Sequence, residues 1–424
     1  MIKAVKNKVN HLKENLSRFS KEERGFIFFA MLCGFFVCFG YSIVRPVSTS
    51  VFISSFSTSF LPYVWIALIP FNFFLVSFYN RLVPKWGSKR LFLTLIAIVI
   101  GINLVAPMLC RTCRPFAFFF YMWKEVYVML MFQLVWSVIH SNIQMKRAKY
   151  LYGIFFGIGG CGSMLGSAFP GYFAVSMGSE NLLFLSLPIY LILGFIYARM
   201  MHFDRGAAPI QTDDNRGGML QGIALIRRSR FLIFILLIVV FMQLSSAIIE
   251  FQFNDFLEKI FSEKDMRTEY IGRIFGIMHA LTVVLQLVGT YMLIEWMGLK
   301  RAHLFVPTLL GSCACLFLAV PLLPIISLVF ITLKASDHSI FTISKEMLYI
   351  PLKANEKYQA KAVIDVFAYR SAKGVASLLI LFLQLAFVQA GTILTWAAVL
   401  IASIWVACVY FGLREYEKVT QESV

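Results

Sequence analysis

Apolar stretches alternate with short polar turns along nearly the whole chain, and each stretch is continuously apolar rather than apolar on one face. Twelve such runs fall near 25–44, 60–83, 91–109, 116–139, 150–176, 182–201, 231–254, 271–294, 304–323, 325–350, 362–389 and 392–411. A membrane-crossing helix needs about 20 apolar residues, so the pattern predicts an all-α integral membrane protein with twelve transmembrane helices. The first run is expected to continue past Arg45 and Pro46 as a kinked helix, because proline removes a backbone donor. The fifth carries Gly153, Gly157, Gly159, Gly160, Gly162 and Gly166. Small residues at this spacing let helices approach closely, which is read as packing rather than phosphate cradling.

The longest polar interruption contains GAAPIQTDDNRGG and divides the chain into two six-helix halves, 25–202 and 231–412, joined by a linker over 203–230. Residues 1–24 and 413–424 are polar ends. Gly87-Ser88-Lys89-Arg90 after the second run is matched by Gly298-Leu299-Lys300-Arg301 after the eighth, an offset of 211 residues. The same offset lays the first run over the seventh and the fourth over the tenth. Two parallel six-helix repeats are the plan of the major facilitator fold, in which substrate sits between the halves. Lys and Arg crowd the N-terminus, the C-terminus and the loops after even-numbered runs, which places both termini in the cytoplasm.

Composition agrees: 59% of residues are hydrophobic and 14% charged. The formal charge of +17 follows the alternate loops, so it is read as topology with a contribution from anionic lipid, and no nucleic-acid partner is expected. No cleavable signal peptide is expected before the first run. The eight cysteines lack paired zinc spacing, and Cys110 and Cys113 form one CxxC that admits a disulfide outside the cytoplasm. No phosphate loop, zinc motif or glycine-flanked nucleophile is present, so neither an enzyme nor a bound cofactor is expected.

Chemistry is concentrated in the charges that fall inside apolar runs. Lys334, Asp337, His338, Lys345 and Glu346 lie on the tenth, and Asp365, Arg370 and Lys373 on the eleventh. A charged side chain at the bilayer centre costs roughly 2.5–3.5 kcal/mol on insertion scales, so these groups should meet one another or a water-filled cavity. On a regular helix Lys334, His338, Phe341 and Lys345 share one face, and Asp365, Tyr369 and Lys373 another, giving two polar stripes with surplus positive charge. Arg45, Lys124, Glu125 and Glu250 complete the set. Lys124 and Glu125 are adjacent and point about 100° apart, so each is expected to find a separate partner. For every one of these residues two readings stand: a place on a substrate path, or an interhelical salt-bridge network. Converging Lys and Arg imply an anionic, phosphate-bearing substrate. Glu250, His338 and Asp365 are the proton-coupling candidates.

The segment Ser344-Lys345-Glu346-Met347-Leu348-Tyr349-Ile350-Pro351-Leu352-Lys353 resembles the signature TKxMAYIPL of the ATP/ADP translocases of intracellular bacteria and plastids. Asp365, Arg370 and Lys373 match that family's acidic–Arg–Lys spacing, Tyr41 to Arg45 resembles its first-helix NYxxLR, and Ile249-Glu250 its helix-seven VEGVWK. The resemblance implies a major facilitator-like nucleotide transporter of the bacterial inner membrane, with a nucleotide or other phosphorylated small molecule and the lipid bilayer as its partners and a monomeric state. It also implies a substrate path through Glu250 and Lys345. Arg45, Lys124, Glu125, Glu250, Lys334, Lys345, Asp365, Arg370 and Lys373 form the expected binding set. Departures are specific: Ser48 and Thr49 stand where the family has Lys-Asp, Lys124-Glu125 lacks the Trp-Gly that follows the family's acidic residue, and Phe253-Asn254 replaces Trp-Lys. A proton-coupled importer of another organic anion and a non-transporting scaffold or sensor remain the alternatives.

Overall fold

The computed structural model describes residues 20–142, 145–203, 216–352, 354–387 and 389–422. The N-terminal segment up to residue 19, part of the predicted linker (204–215) and Lys353 lie outside the described residues. Helices account for nearly all the rest, in the order α1 (Lys21–Phe56), α2 (Leu61–Thr112), α3 (Arg114–Asn142), α4 (Met145–Met177), α5 (Leu182–Met200), α6 (Arg216–Arg228), α7 (Arg230–Ile260), α8 (Lys264–Val284), α9 (Thr290–Ala319), α10 (Leu323–Ser336), α11 (Thr342–Leu348), α12 (Ala354–Lys361), α13 (Tyr369–Ala386) and α14 (Ala390–Glu422).

Among the described residues, ten helices are long and apolar enough to cross a membrane, and Ser371–Ala386 is a shorter apolar one. The second and third apolar runs lie in one of the ten, α2, interrupted at Gly87. Gly87 has φ 70° and ψ 159°, and Gly298 inside α9 has φ 75° and ψ 162°. These are the glycines of the two Gly-Xaa-Lys-Arg motifs, and a side chain is disfavoured at such a φ. The first run continues through Pro46 as one helix to Phe56. The tenth and eleventh depart from simple helices. Asp337–Phe341 joins α10 to α11 as a π-helical turn, and Ala362–Ala368 leads into α13 as another; a third, Leu285–Gly289, joins α8 to α9.

The chain forms two compact units. The first comprises Met1–Val51, Phe74–Gln211 and Thr268–Gly276. Here the fifth run packs as its glycines predict: a Cβ on Gly162 would stand 2.3 Å from the carbonyl oxygen of Phe35, and one on Gly166 2.3 Å from that of Phe39. Helices α4 and α1 therefore touch backbone to backbone. Buried polar groups need partners where water is absent, and here Asn103 donates to Ser186 at 2.9 Å, while the hydroxyls of Tyr127 and Tyr190 meet at 2.9 Å.

The second unit comprises Phe52–Phe73, Thr212–Arg267 and Ile277–Val424. Its centre is α7, which packs against α10, α13 and α14. The Phe253 and Phe330 rings stack at 4.5 Å, and Gln252 donates to Thr395 at 2.7 Å. Cys110 and Cys113, in the first unit, stand as thiols.

Candidate functional site

In the second unit the charged residues of α7, α10, α11 and α13 meet at three levels. At the first, the Lys334 ammonium donates to Glu250 at 2.9 Å and to Ser246 at 2.8 Å. Lys373 approaches the same Glu250 oxygen at 3.5 Å while lying 4.4 Å over the Trp65 ring. One carboxylate is thus shared by two cations. Next along the helices, Gln243 donates to Asp337 at 3.4 Å, and the Tyr369 hydroxyl hydrogen-bonds with both. At the third, Lys345 donates to Asp365 at 2.9 Å, and the Tyr349 hydroxyl to the same oxygen at 3.3 Å. Beyond it, Lys361 pairs with Glu346 at 2.6 Å in a more exposed position.

The single-face expectation for the tenth run needs correction. Lys334 and Lys345 belong to different levels, Phe341 is buried, and His338 is exposed. A π turn holds one residue more than an α turn, so the step-of-four arithmetic fails across Asp337–Phe341. Asp365, Tyr369 and Lys373 likewise reach three levels rather than one stripe. Nor do these described side chains carry a surplus: Lys334 and Lys373 meet Glu250, Lys345 meets Asp365, and Asp337, held by Gln243, matches the third cation in charge. The side chain of Arg370 lies outside the described side chains.

Side chains from other helices secure these carbonyls. Gln286 donates to the carbonyl of His338 at 2.8 Å, and the buried His303 ring places Nε2 3.0 Å from the carbonyl of Ser344, the residue before Lys345.

The first unit holds a separate cluster. Lys124 is 1% exposed, with its ammonium 3.2 Å from Glu125, 3.3 Å from the Thr49 hydroxyl and 3.9 Å from the centre of the Tyr121 ring. The Tyr41 hydroxyl donates to the same Glu125 oxygen at 3.4 Å. Each residue thus has the separate partner expected of it, Thr49 for Lys124 and Tyr41 for Glu125, but the two also pair with each other, which the expectation did not allow. Their backbone directions diverge, but a four-carbon lysine stem is long enough to fold back along the helix surface. Thr49, at a family Lys-Asp position, serves here as a neutral partner for Lys124. Arg45 lies 4.5 Å over the Phe275 ring and 5.9 Å over that of Tyr41, two cation–π contacts.

Sequence reasoning brings out Glu250, Lys334, Lys345, Asp365 and Lys373 but not the neutral residues that bind them together. Ser246, Gln243 and Trp65 are legible only as a polar pair in an apolar run and one aromatic among many. Asp337 stands out as a membrane charge, yet falls outside the expected binding set.

Long apolar helices with charges paired at their centres define a polytopic membrane protein, and comparison of the fold gives its class. The structure is similar to the crystal structure of a mutant of the nucleoside transporter NupG, with TM-score 0.68 and 13% identity over 92% of this chain and 99% of that one. It also resembles a bacterial homologue of the iron transporter ferroportin, with TM-score 0.60 and 13% identity over 95% and 100%. An auto-inhibited POT family peptide transporter gives TM-score 0.64 and 11% identity over 92% and 96%. The fold is that of major facilitator-like transporters. Residues 195–330 and 325–416 match the model of the TLC ATP/ADP transporter family, and together they span just over half of the chain. The chain belongs to that family.

Proposed function

We propose that the protein is an alternating-access transporter of nucleotides, working by ATP/ADP exchange or net nucleotide import in the bacterial inner membrane, with both termini cytoplasmic. Twelve spans in two six-helix repeats fit this reading. Splitting α2 at Gly87 and adding the short helix Ser371–Ala386 to the ten long helices supplies them, and the matching conformations of Gly87 and Gly298 support the repeat.

The observation that carries the reading is the pairing of Lys334 and Lys373 with Glu250, and of Lys345 with Asp365. A lone buried charge is costly, and an ion pair removes most of that cost. Without substrate the carboxylates neutralise the lysines. A nucleotide offers phosphate oxygens that accept the same hydrogen bonds and carry greater charge, so Lys345 and Lys373 exchange carboxylate for phosphate. Arg370 and Lys124 are further phosphate-binding candidates. Mechanistically, reorientation is then open to the loaded carrier and, through the internal pairs, to the empty one. Whichever pair fails to re-form in the empty state makes exchange obligatory.

Uptake of labelled ATP into proteoliposomes, with and without internal ADP, tests the proposal. Uptake that requires internal ADP establishes exchange, and uptake without it establishes net import. Folded protein that takes up neither ATP nor ADP under either condition overturns the nucleotide reading.

A further inference from the structure

Two hollows at helix ends share an arrangement that the transport site does not use. At the C-terminal end of α5, Arg199 lies 5.2 Å over the Phe195 ring; near that of α14, Arg414 lies 4.6 Å over the Tyr410 ring. Each arginine borders a concave surface. The one in the first unit has a volume near 420 Å³ and is lined by Lys89, Phe195, Arg199 and His202. The one in the second unit is near 760 Å³ and includes Arg230, Ile233, Phe411, Arg414 and Lys418.

Charge in both hollows is unbalanced. The second also contains Glu415 and Glu417, but Glu415 pairs with Lys418 at 2.7 Å and Glu417 with Lys300. Among the described residues Arg230 and Arg414 make no salt bridge, and none lining the first hollow is a carboxylate. Helix dipoles favour a cation in the last turn, which suits Arg199 in α5, whereas Arg414 lies more than a turn inside α14. They disfavour one at an N-terminus, yet Arg230 opens α7 and Lys89 follows the break at Gly87. At the start of α7 the Ser229 hydroxyl already accepts from the Leu232 N–H, so the attraction for an anion comes from the cations that line each hollow. The first hollow sets Lys89, near a helix start, against Arg199 at a helix end, and the second sets Arg230, at the start of α7, against Arg414 inside α14. Lys89 and Lys300 are, moreover, the lysines of the two Gly-Xaa-Lys-Arg motifs.

Beside the cations lie exposed apolar side chains: Phe195, Ile233 and Phe411. A ligand matching both features has a phosphate at one end and a hydrocarbon tail at the other. We propose that each hollow binds the headgroup of an anionic phospholipid, with the phosphate between Lys89 and Arg199 in one and between Arg230 and Arg414 in the other, and acyl chains along Phe195 or along Ile233 and Phe411. The bound lipids hold the chain at the leaflet that its positive charge selects.

The test is native mass spectrometry of the full-length protein, delipidated and then given phosphatidylglycerol or phosphatidylcholine. Wild type is expected to retain two phosphatidylglycerol molecules and to discriminate against phosphatidylcholine. Lys89→Gln with Arg199→Gln, and separately Arg230→Gln with Arg414→Gln, should each lose one, with affinity at that hollow falling about tenfold or more. Excess inorganic phosphate should displace neither. Equal retention of phosphatidylcholine, full retention by both double variants, or displacement by phosphate would each overturn the assignment, the last by making these free-anion sites. Should a glutamine variant fail to fold, thermal stabilisation of wild type by phosphatidylglycerol over phosphatidylcholine decides the question, and equal stabilisation counts against it.

Discussion

The Lys345 ammonium stands 2.9 Å from the carboxylate of Asp365, although twenty residues, a turn and a short helix separate them in the chain. Tyr349, one turn beyond Lys345, donates to the same oxygen. The pair is not sealed from solvent, since the Asp365 side chain is 22% exposed. Lys345→Ala should therefore destabilise the protein by about 1–3 kcal/mol, less than the roughly 3–5 kcal/mol typical of breaking a fully buried pair. Adding Asp365→Asn should restore melting temperature and leave uptake abolished. A double variant that regains uptake would remove Lys345 from the substrate path.

Glu250 is bound by two lysines, so its neutralisation leaves Lys334 and Lys373 facing each other. Glu250→Gln is expected to slow return of the empty carrier more than movement of the loaded one. Measured in proteoliposomes, net uptake should fall at least tenfold, a rise of about 1.4 kcal/mol or more in its barrier, while exchange against internal nucleotide falls less. An equal loss of both would make Glu250 a substrate ligand or a structural residue instead.

Gly162 meets the Phe35 carbonyl where a methyl group has no room, whereas nothing lies within 4 Å of a Cβ on Gly101. Gly162→Ala should cost about 1–3 kcal/mol through overpacking and lower the melting temperature. Gly101→Ala, inside a helix, should be neutral or stabilising by up to about 1 kcal/mol. Matched thermal unfolding of the two variants checks both.

Gly87 and Gly298 share a positive φ in open surroundings. Alanine at either should cost about 1–3 kcal/mol from backbone conformation alone, and asparagine no less, because a positive φ with ψ near 160° lies outside the left-handed helical region that asparagine tolerates. Comparable losses at the two sites, measured by unfolding, are the expected outcome.

Most of the helical layout was legible because a bilayer leaves few options: backbone polar groups must be satisfied within each segment, so apolar runs of sufficient length read as helices. The glycines of α4 were legible for a similar reason, since clustered small residues have little use except close approach. The charged set was legible as a set because each member is expensive. What could not be read was the pairing. Lys334 and Lys345 reach different carboxylates because a π turn lies between them, and nothing in Asp337 to Phe341 distinguishes that turn from a regular one by composition. Lys124 and Glu125 escaped because backbone directions were used where side-chain length decides.

The π turns at Asp337–Phe341 and Ala362–Ala368 make the number of residues within a helix part of the geometry of the charges. Deleting one residue from Asp337–Phe341 would keep Lys334, Lys345 and Asp365 in the sequence and allow a straight α-helix to form. Because the π turn absorbs one extra residue, that deletion would leave Lys345 aimed nearly as it is relative to Lys334, whereas a regular helix of unchanged length would turn it by about 100°. Spacing to Lys334 alone therefore does not fix the aim of Lys345: a relative with one residue fewer and a regular helix keeps it, and one of equal length without the π turn changes it.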